Sequence, residues 1–253
     1  MSGMDAFMNV IRIFVCTAYF TICIRLVRLS LRSGEAPERL LGLAFLCWGL
    51  SYVLYYPPDY LLPEGSLLSM CFLLSGLADD VGAFSLALVT RCVFRKRERW
   101  AKFLVAGIAV FLIAGVGGSV WMGDREGNFP LSNPWFWAEL GGDAAAMIWI
   151  AAEGFLNYRK ARQRLRLGLC EPLVCNRYLL WGLAGAVWIL YDLALIAQYV
   201  EYELTQYWSP PLDILVSSLG ASAAAVIWFV FFPPNSYRRW IRNTNPAAMV
   251  AEG

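Results

Sequence analysis

The fold class this sequence predicts is all-α: a polytopic bundle of seven transmembrane helices. Three observations predict it. The chain is 59% hydrophobic and 16% charged, with a mean hydropathy of +0.53, values that belong to membrane proteins rather than soluble domains. Seven apolar runs can be counted, at 6–28, 38–56, 67–92, 101–122, 134–157, 178–200 and 211–233, each near or above the roughly 20 residues a spanning helix needs. Finally, every basic residue except Arg12 and Arg125 lies in the odd-numbered connections, at their margins, or after the last run.

The first run, 6–28, is not expected to be a cleavable signal. Asp5 stands where a basic segment would precede it, and no small-x-small site follows. The second run stops at Pro57-Pro58. The third carries Asp79 and Asp80 side by side near its middle. On an insertion scale each Asp at a helix centre costs about 2.5–3.5 kcal/mol, whereas each Leu, Ile, Phe or Val returns about 0.3–0.6. The apolar residues of this run therefore roughly offset two carboxylates and no more, and the helix should face protein or a wet cavity.

The fourth run holds no acid, but the fifth holds Glu139, Asp143 and Glu153, with Asn157 four residues beyond. The basic stretch 158–176 after it could extend this helix into the cytosol. The sixth run carries Asp192 beside Trp188 and Tyr191, and the seventh starts at Asp213, just after Pro210-Pro211. Beyond Pro233-Pro234, residues 236–243 read as an amphipathic surface helix. Trp240 and Ile241 would lie in the headgroups and Arg238, Arg239 and Arg242 toward anionic lipid, with a tail to 253.

Charge orients the bundle. Arg25, Arg28, Arg32 and Arg39 bracket the first connection; Arg91 to Lys102 fill the third and Arg159 to Arg177 the fifth. By the positive-inside rule these are cytoplasmic, as is the C-terminus, and the N-terminus is outside. Asp5, Asp59, Glu64, Asp124, Glu126, Glu201 and Glu203 fall on the outer side, in or beside the short connections 57–66, 123–133 and 201–209. The location expected is a plasma membrane, a bacterial inner membrane in particular.

At 1.5 Å per residue the buried acids can be ranked by depth. Asp79 and Asp80 lie near the midplane, Asp143 and Asp192 about one turn toward the outside, and Glu139 and Asp213 higher still. Trp135, Trp137, Trp188, Tyr191 and Tyr199 share those depths. The arrangement points to an outward-opening, negative, aromatic-lined cavity for a cation, an amine or protons. The ligand- or proton-binding residues expected are Asp79, Asp80, Asp143, Asp192, Tyr191 and Trp188. Arg12 is expected to form a structural ion pair with Asp213, which also complements its own helix start.

Other chemistries are excluded by composition. Histidine is absent, which removes His-ligated zinc or haem and every Ser-His or Cys-His nucleophile pair. No metal site, catalytic residue or cofactor is expected. Retinal in particular fails, because Lys96, Lys102 and Lys160 are all expected at the cytoplasmic side, which leaves no intramembrane lysine for a Schiff base. Tyr191-Asp192 and Gly141-Gly142-Asp143 fall short of the motif pair of an intramembrane aspartyl protease. The seven cysteines lie within spans or on the inner side, so no disulfide framework is expected.

The seven-helix, N-outside plan closing on Phe231-Phe-Pro-Pro-Asn-Ser-Tyr-Arg-Arg-Trp240 resembles the membrane modules that precede output domains in some bacterial sensor kinases. The resemblance covers the topology and those ten residues. It implies a sensory role, with the signalling output expected on a separate protein. The function expected is a stand-alone sensor or receptor-like protein that binds a small cationic or amphipathic ligand, or protons. It would signal through the basic loops 91–102 and 158–177 to a cytoplasmic protein partner. The alternative is a proton- or cation-coupled transporter of a small solute using the same Asp residues. The partner common to both is the lipid bilayer; nucleic acid is not expected.

Overall fold

The computed structural model describes residues 3–63, 65–121, 131–207 and 209–243. Glu64, Asp124, Arg125, Glu126, Trp208, the tail from 244, and the side chains of Asp5, Asp59 and Arg242 lie outside the described residues. The described residues form eight helices and no strand: α1 Gly3–Ser33, α2 Ala36–Leu61, α3 Ser66–Phe94, α4 Arg99–Trp121, α5 Pro134–Arg166, α6 Pro172–Thr205, α7 Pro210–Phe231 and α8 Asn235–Asn243. Six of them, α1 to α4, α6 and α7, are long and apolar enough to cross a membrane. Large apolar side chains also face outward, among them Ile13, Phe103 and Ile113. A lipid bilayer is the solvent such a surface suits, and the chain is accordingly a multi-pass membrane protein. Helix α5 stands apart from the six because Glu139, Asp143 and Glu153 interrupt its apolar part.

The sequence sets the helix starts clearly. Helices α2, α5, α6 and α7 each open with a proline in the first turn, where the missing N–H has no intrahelical partner to lose. At α5 the Asn133 side chain also accepts from the Trp135 N–H at 3.0 Å, a standard N-cap. Gly34 and Gly168, just past α1 and α5, adopt φ of +71° and +70°, the left-handed conformation that stops a helix.

The ends differ from the apolar runs. Helix α2 continues through Pro57 and Pro58 to Leu61, where a loop was expected. Proline's fixed φ is compatible with a helix; the cost is the two missing N–H bonds and the crowding of the rings against the Val53 and Leu54 carbonyls one turn back. Helix α5 carries on through the basic residues to Arg166, as the extension into 158–176 anticipated. Helix α6 spans 34 residues, about 50 Å long against a hydrocarbon core of about 30 Å.

Consecutive helices pack against each other, α7 returns to α1, and α3 also touches α5. The larger core joins Tyr19, Phe45, Trp48, Leu86, Met147, Trp188 and Ile227 from six helices. A smaller one, around Ala83, Ala87, Ile108, Leu112 and Trp149, ties α3 and α5 to α4. Helices α5 and α6 approach most closely where Gly154 meets the backbone of Gly182, and a Cβ on Gly182 would lie 2.8 Å from the Phe155 ring. Small residues are what permit this approach.

The basic loops gather at one end of the bundle. There Arg95, capping α3, pairs with Glu153 of α5, Asn176 of α6 donates to the Tyr237 hydroxyl of α8 at 3.0 Å, and the Arg25 guanidinium lies over the Phe232 ring. On α8, Trp240 is exposed as expected of an interfacial anchor, whereas Ile241 is buried. Folding onto the bundle, where α8 packs on α6, gives Ile241 an apolar home without lipid.

Candidate functional site

Three helices bring five carboxyl groups together. Helix α3 supplies Asp79 and Asp80, α5 supplies Glu139 and Asp143 one turn apart on one face, and α6 supplies Asp192. Glycines seat Glu139. A Cβ on Gly76 of α3 would lie 3.8 Å from Glu139 Oε1, and one on Gly115 of α4 would lie 2.5 Å from Glu139 Cβ. Glu139 is thereby wedged between two helices with its carboxylate over α3, one turn from Asp79 and Asp80.

The electrostatic relations are consistent with this placement. Asp80 feels Glu139 and then Asp79, while Asp143 feels Asp192, Asp79, Asp80 and Glu139. Asp192 and Glu139 each feel Asp79. Asp79 is therefore common to every member of the cluster.

Exposure is graded. Asp79, Asp80, Glu139 and Asp143 are half-buried, whereas Asp192 is 5% exposed. Neither Asp143 Oδ1 nor Asp192 Oδ2 has a hydrogen-bond partner among the described residues. The only ion pair seen between described residues is Arg95–Glu153 at 2.5 Å, so none of the five carboxylates is paired with a described cation. Charge buried in this way is costly unless neutralised.

Tyr191 and Trp188 line the same region. Trp188 stacks on Trp48 with ring centroids 5.0 Å apart, and Tyr191 lies 5.8 Å from Trp188. Of the other expected aromatic neighbours, Tyr199 stays within the field of Glu139, whereas Trp135 and Trp137 go elsewhere. The Trp135 ring packs against Gly118 of α4, and Trp137 is at the surface, donating to the Leu131 carbonyl at 2.7 Å. Tyr199 packs on Phe136, 5.4 Å away.

The expected Arg12–Asp213 ion pair is not among the contacts seen. Asp213 lies in the first turn of α7, and its N–H donates to the Ser209 carbonyl. The Arg12 guanidinium lies 4.1 Å from the centroid of the Tyr56 ring. Helices α1 and α7 are indeed neighbours, but the tyrosines of α2 give Arg12 a π-face.

Sequence reasoning missed those tyrosines. Tyr56 meets Tyr52 at 5.4 Å, and Tyr52 meets Tyr19 edge-on at 6.0 Å. Tyr19, Tyr52 and Tyr191 all feel Asp79. Tyr19 is fully buried, and neither its hydroxyl nor the Trp48 ring N–H has a partner among the described residues. A Cβ on Gly82, one turn past Asp79, would lie 2.6 Å from Trp48 Nε1. The helical spacing of Trp48, Tyr52 and Tyr56 on one face of α2 was the available signal.

Comparison with protein-family models, curated proteins and solved structures found no match.

Glu153, of undetermined role in the sequence, has a structural one. Its side chain is 3% exposed and pairs with Arg95, and Asn157 donates to its carbonyl at 2.8 Å and its Oε2 at 3.3 Å. The Arg95 guanidinium, outside the spans, is held still more firmly in its charged form by that bond.

Proposed function

We propose that this protein is a seven-span membrane sensor, N-terminus outside and C-terminus cytoplasmic, whose carboxyl cluster takes up protons or a small cation from the outer side. The observation that carries this reading is the meeting of five carboxyl groups from α3, α5 and α6 without a paired cation among the described residues, two of them with an unpartnered oxygen. Counting α5 as the seventh span is supported by its packing against α4 and α6, which lets its acids face protein rather than lipid.

Protons suit a site whose acids sit on three packed helices with no counter-ion among the described residues. No three acidic or cysteine side chains among the described residues converge as ligands for a metal ion. Helix α5 offers the route to the cytoplasmic side. Asp143 and Glu153 share it, about 15 Å apart, so a shift driven by neutralising the cluster reaches the Arg95–Glu153 pair at the basic end.

The test is proton uptake by the purified protein, followed by the carboxyl bands of its infrared spectrum during a pH titration. Asp79→Asn and Asp192→Asn should each remove titrating intensity. Unchanged spectra in both variants would overturn the reading. Reconstituted vesicles separate sensor from transporter, since pH-driven solute flux lost in Asp79→Asn would favour transport.

A further inference from the structure

At the basic end, α5 and α6 diverge around the turn at Gly168 and leave a cleft of about 260 Å³. That is several times the roughly 30 Å³ one water occupies, enough for a phosphate and part of the group it esterifies. One wall is a stripe of α5 on which Asn157, Lys160 and Arg164 recur at helical spacing; the other is formed by Cys170, Val174 and Tyr178. The Lys160 and Arg164 side chains make no hydrogen bond or ion pair with a described residue. Asn157, at the floor, is tied to Glu153, whose charge Arg95 balances. Glu171 is the acid nearest in sequence, on the turn itself.

The surroundings are apolar. Val174 of the cleft wall is exposed, as are Leu156, one helical turn before Lys160, and Leu167 and Leu169, just after Arg164 in sequence. A planar guanidinium and an ammonium facing one cavity suit the oxygens of a phosphate. An apolar rim at the same level suits the acyl chains of a lipid that carries one.

We propose that this cleft is a binding site for a phosphate ester, held by Lys160 and Arg164. The chemistry is shared by an anionic phospholipid headgroup and by a soluble phosphate, and the test separates the two. It stands independently of the carboxyl cluster.

The full-length protein, purified in neutral detergent, would be titrated with phosphatidylglycerol, with phosphatidylcholine and with inorganic phosphate. Bound lipid is read by native mass spectrometry and stabilisation by the thermal midpoint. Phosphatidylglycerol should be retained in preference to phosphatidylcholine. The double variant Lys160→Gln/Arg164→Gln should weaken that retention roughly tenfold or more, and Val174→Trp, which fills the cleft, should do the same. The control pair Arg159→Gln/Arg166→Gln, outside the cleft, should not. Matching midpoints in phosphatidylcholine verify that each variant is folded. Stabilisation by inorganic phosphate with the same dependence on Lys160 and Arg164 would identify a soluble phosphate as the source. If neither probe distinguishes the Lys160/Arg164 variant from the control pair, the proposal is wrong.

Discussion

Asp192 sits 5% exposed with one carboxylate oxygen unpartnered, so its cost to the fold and its use to the protein can be separated. Asp192→Asn keeps the shape and removes the charge. Its thermal midpoint in detergent should fall by no more than about 1 kcal/mol equivalent, and a collapse of the fold would show that the carboxylate is structural instead. The Arg95–Glu153 pair makes a sharper, asymmetric prediction. Glu153 is 3% exposed and Arg95 26%, so the two partners differ in what their loss leaves behind. Arg95→Ala strands a buried carboxylate and should cost about 3 kcal/mol. Glu153→Gln leaves a guanidinium that can reach water and should cost about 1 kcal/mol. Equilibrium unfolding of the two variants, side by side, checks the order; the reverse order would mean that the pair is not buried as described.

At the scale of elements, the closest helix approach lies between α5 and α6. A side chain at Gly154 would run into the backbone of Gly182, so Gly154→Val should force the helices apart and cost about 3 kcal/mol. Gly117→Ala, where nothing lies within 4 Å, should be neutral or stabilising by up to about 1 kcal/mol. Equal midpoints for the two would refute the close packing. This scale also separates what a reader of the sequence could see from what packing alone decides. The acids of α3, α5 and α6 were legible because a carboxylate in an apolar run carries a large cost that demands company. Tyr19, Tyr52 and Trp48 were not, since an aromatic ring costs nothing in an apolar span and its facing depends on how neighbours rotate the helix. Helix ends were obscured for a related reason. Charged residues continue a helix as readily as they fill a loop, so α5 runs on through its Arg and Lys and α6 through Glu201 and Glu203, and α2 passes through two prolines.

For the whole molecule, the gathering of basic loops at one end makes orientation testable. A fluorescent protein fused after Gly253 should fold and fluoresce only if that end faces the cytoplasm, as the proposed topology has it; a dark fusion at normal expression would reverse the topology. The bundle was legible as a series of apolar runs, while its closure by α7 against α1 and the second contact of α3 with α5 required coordinates. The position of Asp79, within the field of four other carboxyls and three phenols, has a consequence for any spectroscopist who follows this protein. Reporters placed on separate helices would not record separate titrations. They would trace macroscopic steps whose inflections belong to the interacting group and to no single side chain.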